Sequence, residues 1–333
     1  MSELFAVGVG VAQLNSRGEP LDCLFPNPLL SPGAQLSAVL ADIPTGTSSL
    51  TPEQAAALND KLDTPLVHPK LLDLGRPLVM VKLTEDRAIE STPEAYLKLH
   101  LLSHRLTLPN TLNLDGIFAH LPNLAWTNRG AIDLDELSDA LVQARLDGKH
   151  LEVMSVDKFP KMVNYVMPSG VRIADASRIR LGAYLGEGTT VMHEGFVNFN
   201  AGAMGPNMVE GRISQGVTIG AGTDLGGSAS TQGTLSGGGK EIVTLGENCL
   251  VGANAGTGIP LGDRCTIEAG LYVTAGTLVM LVDEHGNEVR KAKARELAGL
   301  SDMLFIRHSQ TGQVMCRPNG KAIQLNDVLH SHN

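Results

Sequence analysis

The stretch "MVEGRIS" (Met208–Ser214) sets a carboxylate, Glu210, two residues from a guanidinium, Arg212, among glycines and small apolar residues. A carboxylate held there can act as a general base or as a nucleophile, and the spacing does not choose between them. Arg212 is one of only three basic residues, with Lys240 and Arg264, between Leu181 and Met280, a span that holds eight acids. A scarce cation in an acidic, glycine-rich setting suits a bidentate clamp on a carboxylate or phosphate, or an ion pair with Glu210.

Other spacings carry less chemistry. His100 and His104 ("HLLSH") stand at the interval of a zinc pair, but no Glu follows the first His and the leucines around them mark an amphipathic helix. "GVGVAQLN" leads into no capped helix, so it is not a dinucleotide fingerprint. "SGGGK" lacks the Ser or Thr that a phosphate-binding loop carries after its Lys, and reads as a flexible site loop. Cys23, Cys249, Cys265 and Cys316 are far apart with no CxxC pair; they read as free thiols in a reducing compartment, which points to the cytoplasm.

Composition narrows the class. Hydrophobic residues at 43% and charged residues at 18% are globular values. A formal charge of −9 argues against nucleic-acid binding, while a local cluster of Arg and Lys still allows anionic small molecules. No segment reaches the ~18 apolar residues of a membrane helix, and "MSELFAVGVGVAQLN" lacks the basic start and long apolar run of a signal peptide.

Three segments must position these residues. Residues 1–155 read as an α/β domain. "TPEQAAALNDKL" opens a helix with Thr51 as N-cap, Pro52 at the first turn and Gln54 closing a capping box. "RPLVMVKL" reads as a strand, "STPEAYLKLHLLSHRL" as a second capped helix, and "DLDELSDALVQARLDG" as a third from Asp133 to a stop at Gly148.

Residues 156–281 change character, because 24 of the 37 glycines lie between Gly170 and Gly276. Helices do not tolerate that density at about 1 kcal/mol per interior glycine. Aliphatic residues recur every six positions: Ile173, Ile179, Leu185, Val191 and Val197; then Ile213, Ile219 and Leu225; then Val243, Cys249, Ala255, Leu261, Ile267, Val273 and Val279. Six residues fit one flat wall and one corner of a solenoid, three walls making a coil of ~18 residues with strands stacked about 4.8 Å apart. The two breaks in the count read as loops ejected from the coil, "AGAMGPNMVEG" and "GGSASTQGTLSGGGKE", where site residues would sit. Residues 282–333 read as a small subdomain: "NEVRKAKARELAGL" is basic and partly helical, and "DMLFIRHSQTGQVMC" is strand, turn and strand.

The blocks "VDKFPKM", "GVRIADASRIRLGAYLGEGTTVMHEGFVNFNAG", "MVEGRIS", "GTLSGGG", "GANAGTGIPLGDRCTIEAGLYVTAGT" and "KARELAG" resemble the tetrahydrodipicolinate N-succinyltransferases, in the longer form with a large N-terminal domain. The resemblance runs from about Ser91 to the end and is weaker over the first ninety residues. It implies a mainly β chain built on a left-handed parallel β-helix, in a homotrimer with active sites between subunits. The handedness comes from the resemblance, since ordinary parallel crossovers are right-handed. It implies transfer of succinyl from succinyl-CoA to the amino group of an open-chain dicarboxylate, with no redox cofactor.

The same resemblance implies residue roles. Glu210 matches the family's active-site Glu, described as forming an acyl anhydride; a general base is the simpler chemistry. Arg212, Gly227, Ser230, Ala253, Glu268, Ala269, Gly276 and Lys293 match coenzyme A contacts, with the run Ile306, Arg307, His308 and Ser309. In that run Ile306 and His308 replace an Arg and an Asn of the family pattern. Glu194 matches a magnesium position on the trimer axis, although the partner position, often Asp, is Ser177 here. A related acyltransferase using acetyl-CoA or another amine acceptor fits the same scaffold. A carbonic anhydrase on such a scaffold needs three His ligands, and the solenoid holds only His193. A purely structural solenoid would have no need of the Glu210–Arg212 pair.

Overall fold

The computed structural model describes residues 4–75, 77–236, 240–283 and 285–319. The chain forms two compact units: Met1–Thr107 with Thr111–Pro160 and Asn164–Val166, and Leu108–Asn110 with Lys161–Val163 and Met167–Asn333.

In the first unit, antiparallel strands lie in the order Pro20–Leu24, Ala6–Leu14, Leu78–Leu83, Gly46–Leu50. The helix Thr92–Ser103 is capped by Ser91 Oγ, which accepts from Glu94 N at 3.3 Å, and every residue from Pro93 to Ser103 is buried. Its buried charges are paired: Lys98 Nζ donates to Asp86 Oδ1 and to two carbonyls, each at 2.6 Å, and Glu94 faces Arg87 at 2.8 Å. The capping box of the helix Pro52–Asn59 forms as its sequence requires, with Thr51 and Gln54 bonded both ways. A three-stranded sheet (Gly130–Asp133, Leu124–Thr127, Val153–Asp157) and the helix Leu134–Leu146 complete the unit.

The second unit is a parallel coil of three walls. The first wall stacks Arg172–Ile173, Thr189–Val191, Asn207–Val209, Asp224–Leu225, Leu250–Val251 and Thr266–Ile267. The second stacks Phe196–Val197, Arg212–Ile213, Ser230–Thr231, Gly256–Thr257 and Tyr272–Val273. The third stacks Tyr184–Leu185, Gly202–Ala203, Thr218–Ile219 and Thr244–Leu245. One residue of each strand turns inward; Val191, Val209, Leu225, Val251 and Ile267 are all 0–1% exposed. Each contributes about 1.5–3 kcal/mol of apolar burial, which is what closes the coil.

Two expectations about the breaks are corrected. "AGAMGPNMVEG" is not ejected: Gly202–Ala203 and Asn207–Val209 are wall strands, paired on both sides. The break is a contraction, since only Glu210 and Gly211 separate the strands ending at Val209 and starting at Arg212. In "GGSASTQGTLSGGGKE", Gly226–Ala229 is an ordinary corner and Ser230–Thr231 a wall strand. Only the segment beyond leaves the coil, closed by an antiparallel bridge between Thr234 and Ile242. Gly237–Gly239 lie outside the described residues.

The last wall strands are extended by the C-terminal residues. Met303–Arg307 pairs in parallel with Thr266–Ile267 and antiparallel with Val314–Pro318. "EVRKAK", expected in a partly helical stretch, is the strand Glu288–Lys293, paired with Leu278–Val282, and only Ala294–Leu297 makes a short 3-10 turn.

Candidate active site

The edge between the first and second walls collects most of the residues singled out by the sequence. Its successive corners are residues 192–195, 210–211, 226–229, 252–255 and 268–271, one per coil. Glu194, Glu210, Gly227, Ala253, Glu268 and Ala269 therefore stand in a column along this edge, about 4.8 Å apart per coil. Residues Ile306–Ser309 continue it, because Arg307 N donates to Glu268 Oε2 at 2.6 Å. Gly276 and Lys293 form a separate group at the last coil, where Leu278 pairs with Lys293.

Glu210 occupies the only two-residue corner in this column; its neighbours have four. The short corner sits back from the edge: Glu210 is half-buried while His193, Glu194 and Ser228 on the flanking corners are exposed. Gly211 allows the tight approach, since a β-carbon on it would stand 2.4 Å from the Ala229 carbonyl oxygen. The result is a groove of about 430 Å³ lined by Arg178, His193, Glu194, Arg212, Ser228, Ala229 and Ser230.

The polar groups in the groove are fixed. Arg212 donates from Nη2 to Ser230 Oγ at 2.6 Å, and its backbone N bonds Ala229 O at 2.7 Å. Among the described residues no ion pair joins Glu210 to Arg212, so the structural pairing raised by their spacing is not formed. Ser228 holds the left-handed φ of 58° and donates from Oγ to Glu194 Oε2 at 2.7 Å. Asn254 and Gly270 hold the same conformation at the third position of the next two corners, so it is a regular feature of these turns. Gly227 leaves room between the two acids: a β-carbon on it would lie 3.6 Å from Glu194 Oε2 and 3.8 Å from Glu210 Oε2.

The residues matched to a metal do not assemble one within this chain. Glu194 is taken by Ser228, and Ser177 donates to Asp175 Oδ1 from both N and Oγ, at 2.9 and 2.6 Å. Those two bonds hold the Asp175 carboxyl below its ordinary value. Among the described residues no three His, Cys, Asp or Glu side chains group as metal ligands. The sequence count of basic residues, begun at Leu181, missed Arg178; its signal was its place one residue before the inward Ile179, the position Arg212 holds before Ile213. His193 and Ser228 gave no separate signal.

A six-residue parallel coil with a recessed carboxylate and small-residue corners defines a hexapeptide-repeat acyltransferase. Residues 242–275 match the family described as hexapeptide repeat of succinyl-transferase, and residues 121–161 match tetrahydrodipicolinate N-succinyltransferase middle. The chain is 56% identical over 99% of both chains to a 2,3,4,5-tetrahydropyridine-2,6-dicarboxylate N-succinyltransferase of Pseudomonas aeruginosa, and 54% identical, at the same coverage, to one of Vibrio cholerae. A Campylobacter jejuni crystal structure described as a 2,3,4,5-tetrahydropyridine-2-carboxylate N-succinyltransferase superposes with a TM-score of 0.86. That protein is 30% identical, covering 97% of this chain and 94% of the other. The chain belongs to the tetrahydrodipicolinate N-succinyltransferase family, and its coil is the left-handed parallel β-helix of that family.

Proposed function

We propose that the chain transfers the succinyl group of succinyl-CoA to the amino group of an open-chain form of tetrahydrodipicolinate, a step toward diaminopimelate and lysine. The observation that carries this reading is the groove lined by Arg178 and Arg212, with the half-buried Glu210 on the two-residue corner beside it. The amine nitrogen attacks the thioester carbonyl, a C–N bond forms, and the C–S bond breaks to release the coenzyme thiol. Glu210 takes the proton that the nitrogen must lose, and Arg212 supplies positive charge to an incoming carboxylate or phosphate.

The donor lies along the edge column. Along the column Arg307 offers charge to the phosphates and Ala253 and Ala269 leave space for the pantetheine arm, while the separate group at the last coil adds Lys293 and Gly276. Ser230 and Gly227 sit next to the reacting end. The enzyme works as a homotrimer in the cytoplasm, each groove closed by a neighbouring subunit; among the described residues no helix is long and apolar enough to cross a membrane.

The test is an assay of free thiol release with tetrahydrodipicolinate and either succinyl-CoA or acetyl-CoA. Acceptor-dependent release with succinyl-CoA is expected. Release with neither donor would sink the enzyme reading, and a preference for acetyl-CoA would sink the succinyl one. Glu210→Ala should lower turnover by about 10²–10⁴-fold while coenzyme A binding persists; near-normal turnover would remove Glu210 from the mechanism.

A further inference from the structure

Arg178 stands at the far end of the groove from the coenzyme column. It precedes the inward Ile179, which bridges to Val197, and so begins an outward ladder on the second wall: Arg178, Phe196, Arg212, Ser230. Its side chain climbs one coil. Nη2 donates to Glu194 O at 2.7 Å, Nε to Gly195 O at 3.2 Å, and Cζ lies 5.9 Å from the centre of the Phe196 ring. Two of the five guanidinium N–H groups are thus anchored on backbone carbonyls, and the others remain to meet a ligand in the groove. Of the nearby acids, Glu194 accepts from Ser228 Oγ and Asp175 from Ser177 Oγ; Asp175 also feels the charge of Arg178, but no ion pair within bonding distance joins them among the described residues.

Resting on the reading above, we infer that Arg178 binds the distal carboxylate of the succinyl donor and sets the choice of succinyl-CoA over acetyl-CoA. On that reading the coenzyme lies along Arg307, Glu268, Ala253, Ser230 and Arg212, residues on successive coils, which brings the thioester to the coil of Glu210. The acyl chain then points toward the coil of Glu194, where the Arg178 guanidinium is held. From thioester carbon to distal carboxylate a succinyl group spans three C–C bonds, roughly 4–5 Å at about 1.5 Å per bond. That length matches one coil spacing of about 4.8 Å. An acetyl group ends before it and leaves the guanidinium without its counter-charge. The planar fork, fixed in advance by two carbonyls and an aromatic face, suits a carboxylate better than a mobile Lys.

The experiment compares kcat/KM for succinyl-CoA and acetyl-CoA, with the acceptor KM, in the wild type, Arg178→Ala and Arg178→Lys. The ratio of the two donors should fall by at least about tenfold in Arg178→Ala, with Arg178→Lys between it and the wild type. A ratio within about twofold of the wild type, both donors losing equally, would overturn the inference. So would an intact ratio with a raised acceptor KM, which places Arg178 on the acceptor's carboxylates. Thermal unfolding reports whether loss of the Phe196 contact disturbs the fold; if Arg178→Ala does not fold, the Lys variant decides by the same ratio. A wild type that releases no thiol with either donor defeats the acyltransferase reading itself, whereas an active wild type with unmoved ratios defeats only the role of Arg178.

Discussion

Glu210 and His100 show how a residue's surroundings decide what its type leaves open. Glu210 is set back at a corner shortened to two residues, beside the gap at Gly227, with Arg212 turned to Ser230 rather than to it. Its carboxylate borders that gap, where a β-carbon on Gly227 would stand 3.8 Å from Oε2. His100 had the spacing of a metal ligand but is a core residue: Nδ1 bonds Tyr96 O at 2.7 Å and Nε2 accepts from Phe25 N at 3.3 Å. Burial lowers its pKa from an ordinary value near 6.5 to about 3. Below pH 6.5 the unfolded chain takes up a proton here and the folded chain does not. Stability present above pH 6.5 is therefore lost as the pH falls toward 3, by up to about 1.4 kcal/mol per pH unit. His104, also lowered by burial, acts in the same sense, and Asp22, raised by burial, acts in the opposite one. The urea midpoint of Asp22→Asn should accordingly be lower at pH 5 than at pH 7; equal midpoints would contradict the assignment.

At the scale of elements, the site is a product of corner length. The six-residue rhythm was legible because an aliphatic or small residue recurs every six positions over long runs, and it located a break between Val197 and Ile213. What it could not show is that Ala203 and Val209 continue the rhythm, since a small residue at an inward position looks like any loop alanine. Nor could it separate Val243, Cys249 and Ala255 from Leu245, Val251 and Thr257 two residues later, because both sets are buried. A second short step, Thr257 to Leu261, was hidden for that reason. The corner predicts two different glycine phenotypes. Gly211→Ala drives a β-carbon to 2.4 Å from the Ala229 oxygen and should destabilise by about 1–3 kcal/mol, read as a lower melting temperature. Gly227→Ala meets only ordinary contacts and should melt normally, while narrowing the space between Glu194 and Glu210 and lowering activity. Matching melting temperatures for the two would show that the short corner is not tightly stacked.

For the whole molecule, the edge column leaves Glu194, Ser228, Ala253, Glu268 and Ala269 exposed on one chain. A donor as long as succinyl-CoA, lying along such an edge, is poorly enclosed without a second surface. Sedimentation equilibrium should give three times the 35.2 kDa chain mass, and a monomer at micromolar concentration would refute the trimer. By itself the sequence determined the coil, since six-residue spacing and glycine density permit little else, and the family through its long motif blocks. It also supplied the catalytic candidate. The tertiary structure alone decided that Glu210 is recessed rather than looped out, and that Arg178, 34 residues upstream of Arg212, shares its groove. The physical reason is that neighbours in a coil are set by how many residues each corner uses. A corner shortened by two changes which sequence positions stack across it, pairing Phe196 with Arg212, which no local pattern records.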